Sequence, residues 1–352
     1  MFVYVGAYTE EQYNGKADGL SVFDFNPGSG VLSPLGVAAN VANPSFLALD
    51  ATGRFLYAVN ELPEGGVSAF ARNPKTGALT ALNRQLSHGA DPCYVSLAGA
   101  GRFALVANYT GGTVAVLPVN ANGGLESATD VVRYEGSGPK PQQDAAHAHM
   151  IAPDPSGRFI LVTGLGTDSI YVYELDDAGH LAPNTPGTPV VKEQPGAGPR
   201  HFAFAPDGRA LYVLNELDST LSSYAYDSAR GALTHRQTVS TLPEEYTREN
   251  SCAHVVVSPD GRFVYGSNRG HDSIAVFAAS ENGTVTPIGH EPTQGKTPRG
   301  FALDPSGAWL LAANQDSDAI VTFRRDPETG ALTATGDVVE TPSPVAILFA
   351  EP

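Results

Sequence analysis

Residues 202–215 read FAFAPDGRALYVLN, and the chain repeats this phrase with variations. The phrase combines an apolar strand, a turn of the type D-x-x-G-R and an aromatic-rich strand that usually ends in Asn. The other copies are LALDATGRFLYAVN (47–60), VSLAGAGRFALVAN (95–108), IAPDPSGRFILVTG (151–164), VVVSPDGRFVYGSN (255–268) and FALDPSGAWLLAAN (301–314). Successive turn glycines lie 46 to 56 residues apart. The chain therefore has an internal period, which must be interpreted before any local structure.

Each period contains four predicted strands, which is typical of a β-propeller blade. A third strand such as LSSYAY (221–226) follows the phrase, and a turn such as PKTGALT (74–80) leads to a fourth. Six periods fill residues 43–340 and leave strand-like remnants at both ends, VYVGAYT (3–9) and PSPVAILFA (342–350). The remnants are complementary, so we expect them to build a seventh blade together and close the ring. Two stacked β-sandwiches, the alternative architecture, would not need a remnant at each end.

The sequence thus predicts an all-β chain in which residues 1–352 form a single seven-bladed propeller domain. The 38 glycines and 27 prolines, about 18% of the 352 residues, suit an architecture with many turns. The net charge of −16 opposes nucleic-acid binding, which depends on Lys and Arg. We see no apolar run long enough to span a membrane and no signal peptide, and we expect a cytoplasmic protein. Cys93 and Cys252 are expected to be buried free thiols.

Alignment of the repeats on their glycines produces a column of residues at the start of each blade's inner strand. Proline dominates this column: Pro44, Pro92, Ala148, Pro199, Cys252, Pro298 and Pro344. The following residues diverge: Ser45, Cys93, His149, Arg200, Ala253, Arg299 and Val345. Because side chains alternate along a strand, we expect His147 and His149 to share a face. His201 and His254 are expected to turn away from Arg200 and to pack.

A second column lies where each second strand ends. It reads Glu61, Tyr109, Leu165, Glu216, Arg269 and Gln315, each preceded by a residue that is usually Asn, such as Asn215. Inner strands begin at the face where second strands end, so both columns should open on the same mouth. We therefore expect a convergence at that mouth of six residues: His147, His149, Arg200, Glu216, Arg269 and Arg299.

These residue types suit binding and hydrolysis of an anionic ester. Guanidiniums bind carboxylate or phosphate in a forked geometry, and an imidazole can take a proton from water at neutral pH. Two other interpretations remain. Arg200 and Glu216 could form only a structural ion pair. The His147-x-His149 pair could ligate a metal, although Asp144 and Glu216 are the only candidates for a third ligand, and we expect no metal.

Four segments resemble the seven-bladed lactonase family, which includes the propeller type of 6-phosphogluconolactonase and the fungal carboxy-cis,cis-muconate cyclase. They are GAGPRHFAFAPDGRALYVLNEL (196–217), HAHMIAPDPSGRF (147–159), SPDGRFVYGSNRGHDSIAVF (258–277) and TPRGFALDPSG (297–307). The resemblance implies a metal-independent site in the central cleft. It implies that His147 or His149, with Arg200, Glu216, Arg269 and Arg299, forms that site, and we place His147 ahead of His149 as the base.

The function expected from this resemblance is hydrolysis of 6-phospho-glucono-1,5-lactone to 6-phosphogluconate in the pentose phosphate route. Arg269 and Arg299 would hold the phosphate, Arg200 would polarise the carbonyl and Glu216 would tune the histidine. Asn215 and Glu61 complete the predicted substrate-binding set. We expect no cofactor, a small anionic sugar lactone as the partner, and a monomer. The alternatives are a carboxymuconate-type cycloisomerase and a non-enzymatic propeller that binds another protein.

Overall fold

The computed structural model describes residues 1–185, 187 and 189–351, and it is a seven-bladed β-propeller. Blade 1 begins with β1 (Phe2–Ala7), β2 (Leu20–Phe25) and β3 (Leu32–Ala39). Blade 2 contains β4 (Leu47–Leu49), β5 (Phe55–Asn60), β6 (Gly66–Arg72) and β7 (Leu79–Leu86). Blade 3 contains β8 (Pro92–Ala98), β9 (Phe103–Asn108), β10 (Thr113–Pro118) and β11 (Asp130–Arg133).

Blade 4 has a divided outer edge, with β12 (Ala148–Pro153), β13 (Phe159–Gly164), β14 (Ser169–Leu175), β15 (Leu181–Pro183) and β16 (Val190–Lys192). Blade 5 contains β17 (Pro199–Phe204), β18 (Ala210–Asn215), β19 (Thr220–Asp227) and β20 (Ala232–Ser240). Blade 6 contains β21 (Ser251–Val257), β22 (Phe263–Arg269), β23 (Ser273–Ala279) and β24 (Val285–Pro292). Blade 7 contains β25 (Pro298–Leu303), β26 (Trp309–Asn314), β27 (Ala319–Arg325) and β28 (Leu332–Glu340), and β29 (Pro344–Ala350) completes blade 1.

The two chain ends close the ring, as the sequence predicts. Strand β29 is the inner strand of blade 1 and pairs antiparallel with β1, with Phe2 opposite Ala350 and Val5 opposite Ile347. This pairing covers the inner edge of β1 and joins both ends of the chain in one four-stranded sheet. Helical structure in the described part of the chain is limited to single 3-10 turns: Glu11–Tyr13, Gly99–Gly101, Pro141–Gln143, Leu165–Thr167 and Gln315–Ser317. None of these is a helix of the length and apolarity that a bilayer crossing requires.

The apolar core lies between neighbouring blades. Seven clusters of buried side chains each join one blade to the next, and the last joins blade 7 to blade 1 through Leu311, Ile320 and Val5. Burial of this surface is the main favourable term for the fold. The turn glycines adopt the positive φ that the hairpins predict: Gly53 68°, Gly101 86°, Gly157 73°, Gly208 69°, Gly261 72° and Gly307 69°.

The inner strands contact one another around the central channel, and most begin with the same irregularity. In five blades the residue before the proline column has a positive φ although it is not glycine: Asn43 40°, Asp91 54°, His147 47°, Thr297 58° and Ser343 43°. In five blades the register shifts just after that column, and one residue of the inner strand has no partner on the second strand: Cys93, His149, Arg200, Arg299 or Val345. Such β-bulges redirect side chains, and here they bring the variable column into the channel.

Candidate active site

The beginnings of the inner strands and the ends of the second strands surround a cleft of about 360 Å³ at one mouth of the channel. The cleft is lined by Tyr8, Tyr13, Glu61, Asp91, Cys93, Tyr109, Thr110, His149, Arg200, Glu216, Arg269 and Arg299. Four inner strands, the ends of four second strands and the N-terminal segment contribute to it. The bulges explain the inward direction of Cys93, His149, Arg200 and Arg299.

Glu216 connects two arginines of the cleft. Its Oε2 lies 2.8 Å from Arg200 Nε, and its Oε1 lies 3.0 Å from Arg269 Nη2. Burial acts to raise the pKa of Glu216, but Arg269, Arg200 and Arg299 outweigh it and leave that pKa below its usual value. Glu216 is therefore a carboxylate at neutral pH that holds the arginines in place, and in the described part of the chain its carboxylate has no hydrogen bond or ion pair with a histidine.

Arg200 is almost completely buried and firmly held. Its Nη1 donates to the carbonyl of Ala253 and lies 3.3 Å from His201 Nε2. Burial, with Arg269 and Arg299 nearby, lowers the pKa of Arg200 to about 10, so it remains a cation at neutral pH. Among the described residues no acceptor is bonded to its Nη2, which leaves that nitrogen available to a ligand in the cleft.

Arg299 and Glu61 form a looser pair on the other side of the cleft. Arg299 Nη2 lies 3.9 Å from Glu61 Oε1, and its guanidinium carbon lies 5.3 Å from the centre of the Tyr8 ring. The Tyr8 hydroxyl donates to Glu61 Oε1 at 2.9 Å. Glu61 Oε2 is buried and has no hydrogen-bond partner in the described part of the chain. This side of the cleft therefore offers an unused acceptor beside a cation.

His149 is the histidine that lines the cleft. Its Nδ1 lies 3.7 Å from Cys93 Sγ, and its ring lies 5.5 Å from that of Tyr109. Burial first, and then the charges of Arg200 and Arg299, keep the pKa of His149 well below 6.5. The ring is therefore neutral at pH 7, which is the state that can accept a proton.

His147 occupies a different position from the one expected. Its Nε2 lies 2.7 Å from Asp144 Oδ1, and its Nδ1 lies 3.1 Å from the carbonyl oxygen of Tyr109. Its ring stacks on Tyr109 with centroids 4.3 Å apart. Both nitrogens face acceptors, so His147 has no lone pair directed at the cleft. The expectation that His147 shares a face with His149 is wrong, because His147 precedes the bulge at positive φ. As a result, His149 replaces His147 as the candidate base.

Three tyrosines and Asp91 form a wall that the sequence interpretation did not include. Tyr13 stacks on Tyr8 with centroids 5.4 Å apart, and its hydroxyl lies 2.5 Å from Asp91 Oδ1. Tyr109 belongs to the second column together with Glu61 and Glu216, and this position in the sequence indicates a residue at the mouth of the channel. Tyr8 follows β1 at the second-column position of blade 1, and its N–H donates to the Ser343 carbonyl as that of Glu61 does to Asn43. Blade 1 takes its inner strand from the other end of the chain, so it has no turn glycine on which to align Tyr8, and Tyr13 lies between β1 and β2.

The family model for "Lactonase, 7-bladed beta-propeller" matches residues 2–349. The chain belongs to the seven-bladed lactonase family. A protein from Bacillus subtilis named 6-phosphogluconolactonase is 36% identical over 98% of this chain and 97% of its own length. One of the same name from Formosa agariphila is 36% identical over 94% of each chain. The structure of a periplasmic gluconolactonase from Pseudomonas aeruginosa has a TM-score of 0.93 and 32% identity, covering 99% of this chain and 98% of that one.

Asn215 does not reach the cleft of this lactonase-family chain. It is fully buried, and its Nδ2 donates to Thr220 Oγ1 at 2.9 Å and to Ser222 Oγ at 3.2 Å. Its column is the repeated Asn that ends the second strands, so its role is to fix the hairpin. We therefore remove Asn215 from the predicted substrate-binding set.

His201 and His254 do not turn away from Arg200, contrary to the expectation from strand alternation. His201 Nδ1 lies 2.8 Å from His254 Nδ1, and both rings line the channel directly below Arg200. The bulge at Arg200 interrupts the alternation, which is why two consecutive side chains reach the same space. Burial and the Arg200 charge lower the pKa of His254 to about 3 and keep that of His201 well below 6.5. Among the described residues no group of three or more His, Cys, Asp or Glu has metal-binding geometry.

Proposed function

We propose that this lactonase-family protein hydrolyses 6-phospho-glucono-1,5-lactone to 6-phosphogluconate in the cleft. The observation that supports the proposal is the convergence of a neutral imidazole, His149, with three guanidiniums on one concave surface. Ester hydrolysis requires a base for water and a positive group for the oxyanion. The printed names of the B. subtilis and F. agariphila relatives support this choice of substrate.

In this proposal Arg200 Nη2 donates to the lactone carbonyl oxygen. The oxygen of a water molecule attacks the carbonyl carbon while His149 takes one of its protons. The bond from the carbonyl carbon to the ring oxygen then breaks, and His149 returns the proton to that oxygen. The product carboxylic acid releases its own proton to solvent, so the imidazole is neutral again after each turnover.

Arg269 and Arg299 bind the phosphate in this scheme. Substrate charge also bears on the base, because Arg200 and Arg299 are what depress the pKa of His149 beyond the effect of burial. An anion placed against these guanidiniums offsets their field and raises the pKa of His149 towards neutrality, where a general base is most effective. The acceptors Glu61 and Asp91 suit hydroxyl groups of the sugar. The cytoplasmic location and monomeric state expected from the sequence remain predictions.

One observation favours a second candidate, the unphosphorylated 1,5-lactone. The cleft holds three carboxyl side chains, Glu61, Asp91 and Glu216, against its three arginines. A phosphate would therefore enter a surface whose formal charges already balance. The name of the P. aeruginosa protein is in line with this alternative.

Acid release from both lactones, corrected for spontaneous hydrolysis, tests the proposal. We expect the phosphorylated lactone to have a kcat/KM at least tenfold higher, and Arg269→Gln to raise KM for this substrate alone. A higher kcat/KM for the unphosphorylated lactone would select the second candidate. Absence of hydrolysis of both lactones, with turnover of a tricarboxylic diene, would replace lactone hydrolysis by the cycloisomerase reaction.

A further inference from the structure

A second space lies in the channel directly below the cleft, and we name it the axial chamber. Its polar lining comes from Ser45, His201 and His254, and its apolar walls include Phe46, Phe301 and Ile347. These residues stand at the cleft column or one to two positions further along the inner strands, so the chamber is deeper along the propeller axis. Cys93, Arg200 and Arg299 line both the cleft and the chamber. These three residues therefore form the boundary between the two spaces.

The chamber has the size and the polarity to hold water. Its free volume is about 40 Å³, which accommodates about three water molecules at roughly 10–15 Å³ each. Ser45 is 4% exposed, and its Oγ has no hydrogen-bond partner in the described part of the chain. A buried hydroxyl in a native protein is normally satisfied by protein or by ordered water. No described residue supplies that partner, so Ser45 keeps a free hydrogen-bonding position at the wall of the chamber.

The two histidines of the chamber are also oriented for water. Arg200 Nη1 lies 3.3 Å from His201 Nε2 and 3.5 Å from His201 Nδ1, so it faces the ring and not one nitrogen alone. His201 Nδ1 and His254 Nδ1 are 2.8 Å apart, so one of these two nitrogens donates to the other. In either arrangement of the neutral rings one Nε2 is a donor and the other an acceptor, and the Ser45 hydroxyl can both donate and accept. Together they provide the mixed set of partners that a buried water needs.

We propose that the axial chamber supplies the water that attacks the lactone carbonyl, and that Ser45 and the His201–His254 pair order it. This inference rests on the proposed function. The boundary residue Cys93 has its Sγ 3.7 Å from His149 Nδ1, and the rings of His149 and His201 are 5.1 Å apart. Cys93 therefore lies between the chamber and the base, and in this proposal water passes the boundary residues to reach His149 and the lactone on the cleft side. The covalent step is the one written above, with the chamber water as the nucleophile.

The chamber is tested by changing Ser45, which does not line the cleft. Ser45→Leu fills the space, and we expect kcat for the lactone to fall at least tenfold while KM and the Kd for the product acid stay within twofold. Ser45→Ala keeps the space and removes the anchor, and we expect a threefold to tenfold fall in kcat. The matched control is Ser223→Ala, which removes another fully buried hydroxyl without a partner, outside the chamber. Its kcat should not change.

A readout without turnover separates this inference from the proposed function. Crystal structures at high resolution should show ordered water bonded to Ser45 Oγ in the wild type and none at that place in Ser45→Leu. A dry chamber, or one occupied by an ion, would overturn the inference even in an active lactonase. Unchanged kcat in Ser45→Leu would overturn it as well. Lactone hydrolysis absent from the wild type refutes the proposed function and, with it, the catalytic role of the water.

Discussion

The two ends of the propeller are built from the same repeat, yet they differ in chemistry. At the end formed by the D-x-x-G-R turns, one hydrogen bond recurs from blade to blade. The first residue of the second strand donates its backbone N–H to the side chain of an Asp or Ser five positions earlier. The pairs are Phe55 to Asp50, Phe159 to Asp154, Phe263 to Ser258 and Trp309 to Asp304. At the cleft end, by contrast, the inner strands carry near their start a residue that differs from blade to blade, such as Cys93, His149, Arg200 or Arg299. Positions that repeat hold the fold, and positions that depart from the repeat hold the chemistry.

The arginines of the repeated turns support this division. Arg102, Arg158 and Arg262 are about half exposed and pair with Asp177, Glu174 and Glu328 at 2.8, 2.8 and 3.4 Å. Exposed pairs of this kind contribute little to stability. The cleft arginines are largely shielded from water; Arg200 and Arg269 share the carboxylate of Glu216, and Arg299 lies 3.9 Å from Glu61. The same residue type is therefore a solvated edge group at one end and part of the candidate site at the other.

The largest effect on activity should come from His149, the proposed general base in the cleft. His149→Ala should lower kcat/KM for the lactone by about 10² to 10⁴, the usual contribution of a positioned general base. His147→Ala is the matched control, since its ring binds Asp144 and the Tyr109 carbonyl, and it should cost less than tenfold. Steady-state kinetics on the two variants decide between them. A larger loss in His147→Ala would return the base to the position that the sequence favoured.

Arg200 should have the next largest effect. Arg200→Ala should lower kcat by about 10² to 10³, as removal of an oxyanion donor does in other enzymes. Arg200→Lys should not restore the rate, because an ammonium cannot reach Glu216, Ala253 and the substrate at once. Binding of the product acid, measured by calorimetry, should weaken less than kcat falls. Equal losses in affinity and kcat would make Arg200 a binding residue only.

Much of the fold was predictable because it depends on repetition. Six turn glycines gave the period, the two end remnants gave the closing blade, and the topology then required His149, Arg200, Glu216, Arg269 and Arg299 to meet. These are consequences of blade geometry that do not depend on the details of any one strand. Which side chains of the inner strands face the cleft could not be predicted from the repeat in the same way.

The errors about the histidines have one physical cause, the bulge that begins the inner strands. A bulge inserts one residue and interrupts the alternation of side chains along the strand. As a result, His147 does not share a strand face with His149, and the side chains of Arg200 and His201 reach the same space. The sequence contained only a weak indication of these bulges. In several blades a polar residue precedes the proline of the column, and Asn and Asp tolerate the positive φ found there better than most residues do. Tyr8 and Tyr13 were missed for a different reason, since blade 1 has no turn glycine on which to align Tyr8, and Tyr13 lies in the segment between β1 and β2.

The depressed pKa values of the channel histidines predict a pH dependence of stability. The folded-state pKa of His254 is about 3, against 6.5 for an exposed histidine. Below pH 6.5 the unfolded chain therefore binds a proton that the folded chain does not bind, and the free energy of unfolding decreases as the pH is lowered. Relative to His254→Phe, the wild type should lose about 1.4 kcal/mol per pH unit between pH 6 and 4. Urea unfolding of both proteins measures this difference, and parallel curves would contradict the low pKa.

The smallest effect should come from the turn end, where the structure predicts a cost in stability and none in activity. Asp304 is 1% exposed, and its Oδ1 accepts the Trp309 N–H at 2.8 Å while Oδ2 accepts the Ser306 hydroxyl. Asp304→Asn keeps one acceptor and the shape, so unfolding by urea should show a loss of about 1 kcal/mol. The value of kcat/KM should stay within twofold. A fall in activity larger than the loss of stability explains would mean that the two ends are coupled through the inner strands, and the division between scaffold and site would then fail.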